Sequence, residues 1–71
     1  MSTQINTPKY AHLTAVITDG NAFMIMGAVQ KVLRNAGVSK EVIDEYFNES
    51  TSGDYSHLLS VAASYVNLEW Q

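Results

Sequence analysis

Hydrophobic and polar positions along this chain switch between two periods. From Tyr10 to Ile17 they alternate, with Leu13, Ala15 and Ile17 on one side and His12, Thr14 and Val16 on the other. A period of two with β-branched residues predicts a strand, and Thr18-Asp19-Gly20 ends it. From Ala22 the period lengthens. Ala22, Ile25, Met26, Val29, Val32, Leu33 and Ala36 form one helical stripe, and Gln30, Lys31 and Arg34 lie away from it. Asn21 or Asp19 can cap this helix by offering a side-chain oxygen to an N–H of its first turn. At the other end Gly37 supplies the left-handed position, and Val38 can meet Leu33 as the apolar contact of a Schellman motif.

Ser39 caps a second predicted helix, with Val38 and Ile43 spaced as a hydrophobic staple. Val42, Ile43, Tyr46 and Phe47 form its expected buried face, and the helix fades over Asn48 to Ser50. Thr51-Ser52-Gly53 is a turn, after which Ser52 or Asp54 caps a third helix with Tyr55, Leu58, Leu59 and Ala62 inward. Past Ser64 the alternation returns, Val66, Leu68 and Trp70 against Tyr65, Asn67 and Glu69. This predicts a final strand, although a helix running to Val66 would use many of the same residues. The expected fold is α+β: a small single domain, β-α-α-α-β, with its two terminal strands paired and three helices packed on one face. Residues 1–9, polar and containing Pro8, read as a flexible N-terminal tail, and residues 10–71 as the compact domain.

Composition narrows this picture. Seventy-one residues make one domain near the lower limit for a self-sufficient core, since a chain this small buries only about 60% of its extended-chain surface. There is no cysteine to staple it, so the 46% hydrophobic content goes to the core, with self-association as a supplement. Two strands alone leave unpaired edges, which points the same way. The polar N-terminus is unlike a signal peptide. The longest apolar run, Ala22 to Val29, is short of the ~20 residues that cross a bilayer. A soluble, cytoplasmic protein with no membrane partner is expected. With a net charge of −3 and only Lys9, Lys31, Arg34 and Lys40 positive, nucleic acid is not an expected partner. Five of the seven acids (Glu41, Asp44, Glu45, Glu49 and Asp54) fall between positions 41 and 54, as a solvated helix face that could steer a basic partner.

Three runs then stand out together: Asp19-Gly20-Asn21-Ala22-Phe23, Arg34-Asn35-Ala36-Gly37-Val38, and Thr51-Ser52-Gly53-Asp54-Tyr55-Ser56-His57-Leu58-Leu59. Their combination resembles a family of small uncharacterised proteins of bacteria and tailed phages, which has no established activity. The resemblance spans about Ile17 to Glu69 and leaves the first strand and the tail outside it. It implies one compact domain of phage or bacterial origin and nothing about mechanism.

The polar residues at the two helix starts are the candidates for chemistry. If those starts converge, Asn21, Asp54 and His57 could hold a small ligand or nucleotide. Asp19 and Asp54 already place carboxylates there, however, and capping accounts for both. His12 and His57, even with Asp54, fall short of the three or four ligands of a zinc site, so no metal or other cofactor is expected. No serine lies in a Gly-x-Ser-x-Gly context, and Ser56 and His57 point about 100° apart on a helix. Gly20, Gly27, Gly37 and Gly53 are scattered singly, so no phosphate loop exists, and Gly27 is expected to allow close packing. No catalytic residue emerges, and the chain does not read as an enzyme.

Phe23, Met24 and Gly27 point away from the apolar stripe of the first helix. A central position for that helix would bury them in the core; otherwise they form a docking patch. Tyr46, Tyr55, Tyr65 and Trp70 suit a core boundary or an interface. Trp70, one residue from the end of the chain, implies docking on this domain or on a partner. The expected function is a non-catalytic protein-interaction or regulatory accessory domain that binds another protein or itself. The expected contacts are Phe23, Met24, Tyr65 and Trp70; the alternative is a small-ligand or nucleotide-binding domain using Asn21, Asp54 and His57.

Overall fold

The computed structural model describes residues 8–71. Residues 1–7, most of the expected tail, lie outside the described residues. The chain runs β1 (Tyr10–Ile17), α1 (Ala22–Asn35), α2 (Lys40–Ser50), α3 (Tyr55–Tyr65) and β2 (Val66–Trp70). β1 and β2 pair in parallel, and the three helices form the connection between them. The expected β-α-α-α-β domain is the observed one.

Each helix begins at a capped turn. Asn21 Oδ1 accepts the Phe23 N–H at 2.9 Å, Ser39 Oγ accepts from Val42 at 3.4 Å, and Asp54 Oδ1 accepts from His57 at 2.9 Å. The end of α1 is the Schellman motif its sequence predicts. Gly37 has φ +83°, its N–H donates to the Arg34 carbonyl, and the Val38 N–H donates to that of Leu33, both at 3.0 Å. A side chain at Gly37 would be strained in that conformation. α3 passes into β2 with no loop: Tyr65 closes the helix and Val66 is already extended, at φ −141° and ψ 166°.

One face of the sheet is covered and the other is open. Ala15 and Ile17 of β1 and Val66 of β2 are buried against Ile25, Met26, Val29 and Leu33 of α1 and Leu58, Val61 and Ala62 of α3. His12, Thr14, Val16, Asn67 and Glu69 are exposed. The ladder is regular from Thr14↔Asn67 to Ile17↔Trp70, but the preceding pair is Tyr10↔Val66, so Ala11, His12 and Leu13 bulge without partners on β2. Asn67 repairs this gap. Its Nδ2 donates to the carbonyls of Ala11 at 2.6 Å and Leu13 at 3.1 Å. Ahead of β1, the Lys9 N–H donates to Ser64 O at 2.9 Å and the Lys9 ammonium sits 4.4 Å from the Tyr65 ring centroid.

Three expectations about burial are corrected, and one alternative left open is decided. Phe47 is exposed, because the inward stripe of α2 is Ile43, Tyr46 and Ser50, and Phe47 is a further ~100° around the helix from Tyr46. Tyr55 is likewise half-exposed rather than in the core. Tyr65 moves the other way: it is 1% exposed, with its ring edge-on to Tyr46 at 5.1 Å. Of the two places open to Phe23 and Met24, core or surface, they take the surface, 78% and 54% exposed, because α1 turns only one side to its neighbours.

The two buried tyrosines differ in how their hydroxyls are satisfied. Tyr65 donates to Glu49 Oε1 at 3.0 Å, whereas the buried Tyr46 hydroxyl has no hydrogen-bond partner among the described residues. Ser50, beside it, gives its proton to the Tyr46 carbonyl at 2.6 Å. Burial raises the pKa of both phenols above the ordinary 10.0, and the carboxylate of Glu49 adds to the rise at Tyr65.

Three outcomes follow for stability. Asn67→Ala is expected to cost about 1 kcal/mol and Asn67→Asp more, since a carboxylate would face two carbonyl oxygens; urea unfolding followed by circular dichroism measures both. Tyr46→Phe should be neutral or stabilising because it removes an orphaned hydroxyl, whereas Tyr65→Phe should cost about 1 kcal/mol. Folding holds both phenols protonated to higher pH than the unfolded chain does. Their stabilisation is therefore complete below pH 10.0 and is lost as pH rises from there through the folded values. Thermal melts across that range should show a steep decline that the Tyr46→Phe/Tyr65→Phe double variant flattens.

Candidate interaction surface

The loop between β1 and α1 is built from two successive side-chain turns. Asp19 Oδ1 accepts the Asn21 N–H at 2.9 Å, and Asn21 in turn caps Phe23. The first helical bond, Ile25 N–H to Asn21 O at 3.0 Å, follows directly. This entry puts Ile25 and Met26 inward and Phe23 and Met24 outward. Between β1 and α1 lies an open groove of about 210 Å³, lined by Val16, Ile17, Thr18, Asp19, Phe23, Met24, Gly27, Ala28 and Lys31. Val16, Phe23 and Met24 are its exposed apolar side chains. Asp19 and Lys31 are its charged ones.

Gly27 does not serve the close packing expected of it. It is exposed, and a β-carbon placed there would meet nothing within 4 Å. Its effect is to leave the groove open along the middle of α1.

The two helix starts do meet. The Tyr55 hydroxyl, from the first residue of α3, donates a short hydrogen bond to the Gly20 carbonyl in the loop before α1. This contact ties the α3 start to the turn that orients Phe23. The polar side chains around it serve their own segments. His57 Nε2 lies 2.9 Å from the Glu49 carbonyl and 3.2 Å from Ser52 Oγ, and Ser52 Oγ donates to the same carbonyl at 2.7 Å. A carbonyl only accepts, so the hydrogen-bond network assigns the proton to Nε2. The imidazole thereby locks the end of α2 to the start of α3. Gly53 is required beneath it: a β-carbon at that position would lie 2.8 Å from His57 Cγ.

The residues singled out by sequence therefore fall in three places. Phe23 and Met24 share the groove, and Tyr65 is in the core. Trp70, opposite Ile17 in register, is 54% exposed at the end of β2 and does not line the groove. Asn21, Asp54 and His57 are at the joined helix starts, each engaged in a turn. No group of three or more metal-ligating side chains converges among the described residues. A second cleft, between α1 and α2, is lined by Gln30, Arg34, Val38, Lys40, Ile43 and Asp44, with Lys40 and Asp44 paired at 2.8 Å. No helix of the described residues is long and apolar enough to cross a membrane. The chain matches no protein-family model, no curated protein and no solved structure.

Gly53→Ala is expected to lower stability by roughly 1–3 kcal/mol through overpacking against the His57 ring. The loss should shrink when His57→Ala is also present, because the two residues touch. A double-mutant cycle by chemical unfolding measures that coupling.

Proposed function

We propose that the protein is a non-catalytic interaction domain of phage or bacterial origin that works in the cytoplasm by binding another protein or itself. The observation that carries this reading is the exposure of Phe23 and Met24, with Val16, around one groove on a 71-residue domain. Large apolar side chains scattered singly over a surface are ordinary, but contiguous ones mark contact sites. Met adapts its shape to a partner, and Phe supplies buried area. The attribution to phages or bacteria rests on the motif resemblance of Asp19 to Phe23 and Thr51 to Leu59. Trp70 is a second contact candidate at the far end of β2. The small-ligand alternative draws less support, since Asn21, Asp54 and His57 each already hold a turn together.

Tagged wild type and a Phe23→Ser/Met24→Ser variant, purified from the native cell, test this reading. The wild type is expected to carry a stoichiometric companion or to exceed the monomer mass, and the variant to lose either. The variant's melting temperature should stay nearly unchanged, as exposed sites shift stability by about 0.5 kcal/mol or less. A variant that keeps the same companion and mass would remove this surface from consideration.

A further inference from the structure

We infer that the groove is closed by the same surface of a second copy of this chain, with α1 packed antiparallel on its twin about Gly27. The inference rests on the interaction reading above and names its partner.

Gly27 is the first observation. A glycine inside a helix costs about 1 kcal/mol relative to alanine. At Gly27 nothing among the described residues offsets that cost. A β-carbon there has open space within 4 Å, and Gly37 is the glycine with positive φ among the described residues. What the missing side chain does permit is close approach of another backbone to the outer face of α1.

The distribution of residues around Gly27 is the second. At about 100° per residue, Phe23, Lys31 and Arg34 all fall within roughly 40° of Gly27 on the helix surface, and Met24 within about 60°. The half of this face before Gly27 is apolar and begins at the acid Asp19; the half after it is basic. Such a surface is complementary to itself when reversed. A twofold axis at Gly27 sets Phe23 opposite the partner's Lys31. It also brings Asp19 within the reach of the long side chains of the partner's Lys31 and Arg34. Each contact occurs twice, as an isologous interface requires. The aliphatic stems of Lys31 and Arg34 would cover Phe23 and Met24, and their charged heads would meet Asp19 or the Phe23 ring. Among the described residues the one salt bridge is Lys40–Asp44, which leaves Lys31, Arg34 and the second carboxylate oxygen of Asp19, whose first holds the Asn21 N–H, available for such pairing.

Charge exchange tests this geometry. Asp19→Lys alone sets like charges against each other at both symmetric contacts, as does Lys31→Asp/Arg34→Asp alone. Each variant is expected to dimerise about a hundredfold more weakly than wild type in sedimentation velocity. Mixed in equal amounts, the two variants restore opposite charges at both contacts and should form a heterodimer. Gly27→Leu should also abolish the dimer while leaving the thermal melt unchanged or improved at concentrations low enough for the wild type to be monomeric too, which separates loss of association from loss of fold. A dimer unaffected by all these changes would place self-association elsewhere and overturn the inference. A monomeric wild type would overturn it too. If that monomer still captured another protein through Phe23 and Met24, the interaction reading would stand without this partner; if it captured none, both would fall.

Discussion

Parallel pairing of β1 with β2 joins the two ends of the described chain, and the chain reaches that pairing only through all three helices. A parallel pair cannot be closed by a tight turn and needs a long crossover. Here the crossover is the helical layer itself, so the sheet and the core form together or not at all. The arrangement is costly for two strands: loop closure must be met before the ladder contributes, and few ladder bonds are available. Asn67 and the Lys9–Ser64 and Gln71–Ile17 backbone bonds extend the pairing beyond its regular rungs. Tyr65, at the point where α3 becomes β2, ties the junction to α2 through Glu49 and to Tyr46 through ring packing.

The polar residues at the helix starts hold local geometry. Between Thr51 and His57, Ser52 and His57 converge on the Glu49 carbonyl, Gly53 makes room for the imidazole, and Asp54 caps α3. Tyr55 then carries this corner across to Gly20. The same logic explains why the first turns of α1 present apolar side chains outward. Its inner stripe packs on β1, α2 and α3, its entry is fixed by Asp19 and Asn21, and Phe23 and Met24 are left outside.

Local features were legible in the sequence because they depend on neighbours along the chain. The Ser39 cap and the Schellman ending at Gly37 and Val38 follow from short-range hydrogen bonding, as do the caps narrowed to Asn21 or Asp19 and to Ser52 or Asp54, of which Asn21 and Asp54 serve; the extent of β1 was legible from its alternation. Side-chain burial was harder to read. Phe47 and Tyr46 are adjacent and both aromatic, and only the packing of α2 decides that Tyr46 turns inward. Gly27 looked like a packing glycine, and no neighbour lies within 4 Å of its β-carbon position among the described residues. Long-range bonds such as Tyr55 to Gly20 and Asn67 to Ala11 left no pattern, since each joins residues more than thirty positions apart. Around the candidate surface, the residues Phe23 and Met24 could be named in advance, but their partners Val16, Lys31 and Asp19 required the three-dimensional arrangement.

The outer face of α1 is thus the surface left over once the sheet pairing and helix packing are satisfied, and its pairing with a second copy is the central proposal. Its occupation is most directly visible in a dilution series of amide nitrogen–proton correlation spectra on the isotope-labelled protein. Concentration-dependent shifts confined to Asp19, Phe23, Met24, Gly27, Lys31 and Arg34 are the predicted result. Shifts centred instead on the open face of the sheet or on Trp70, with α1 unmoved, would contradict the account.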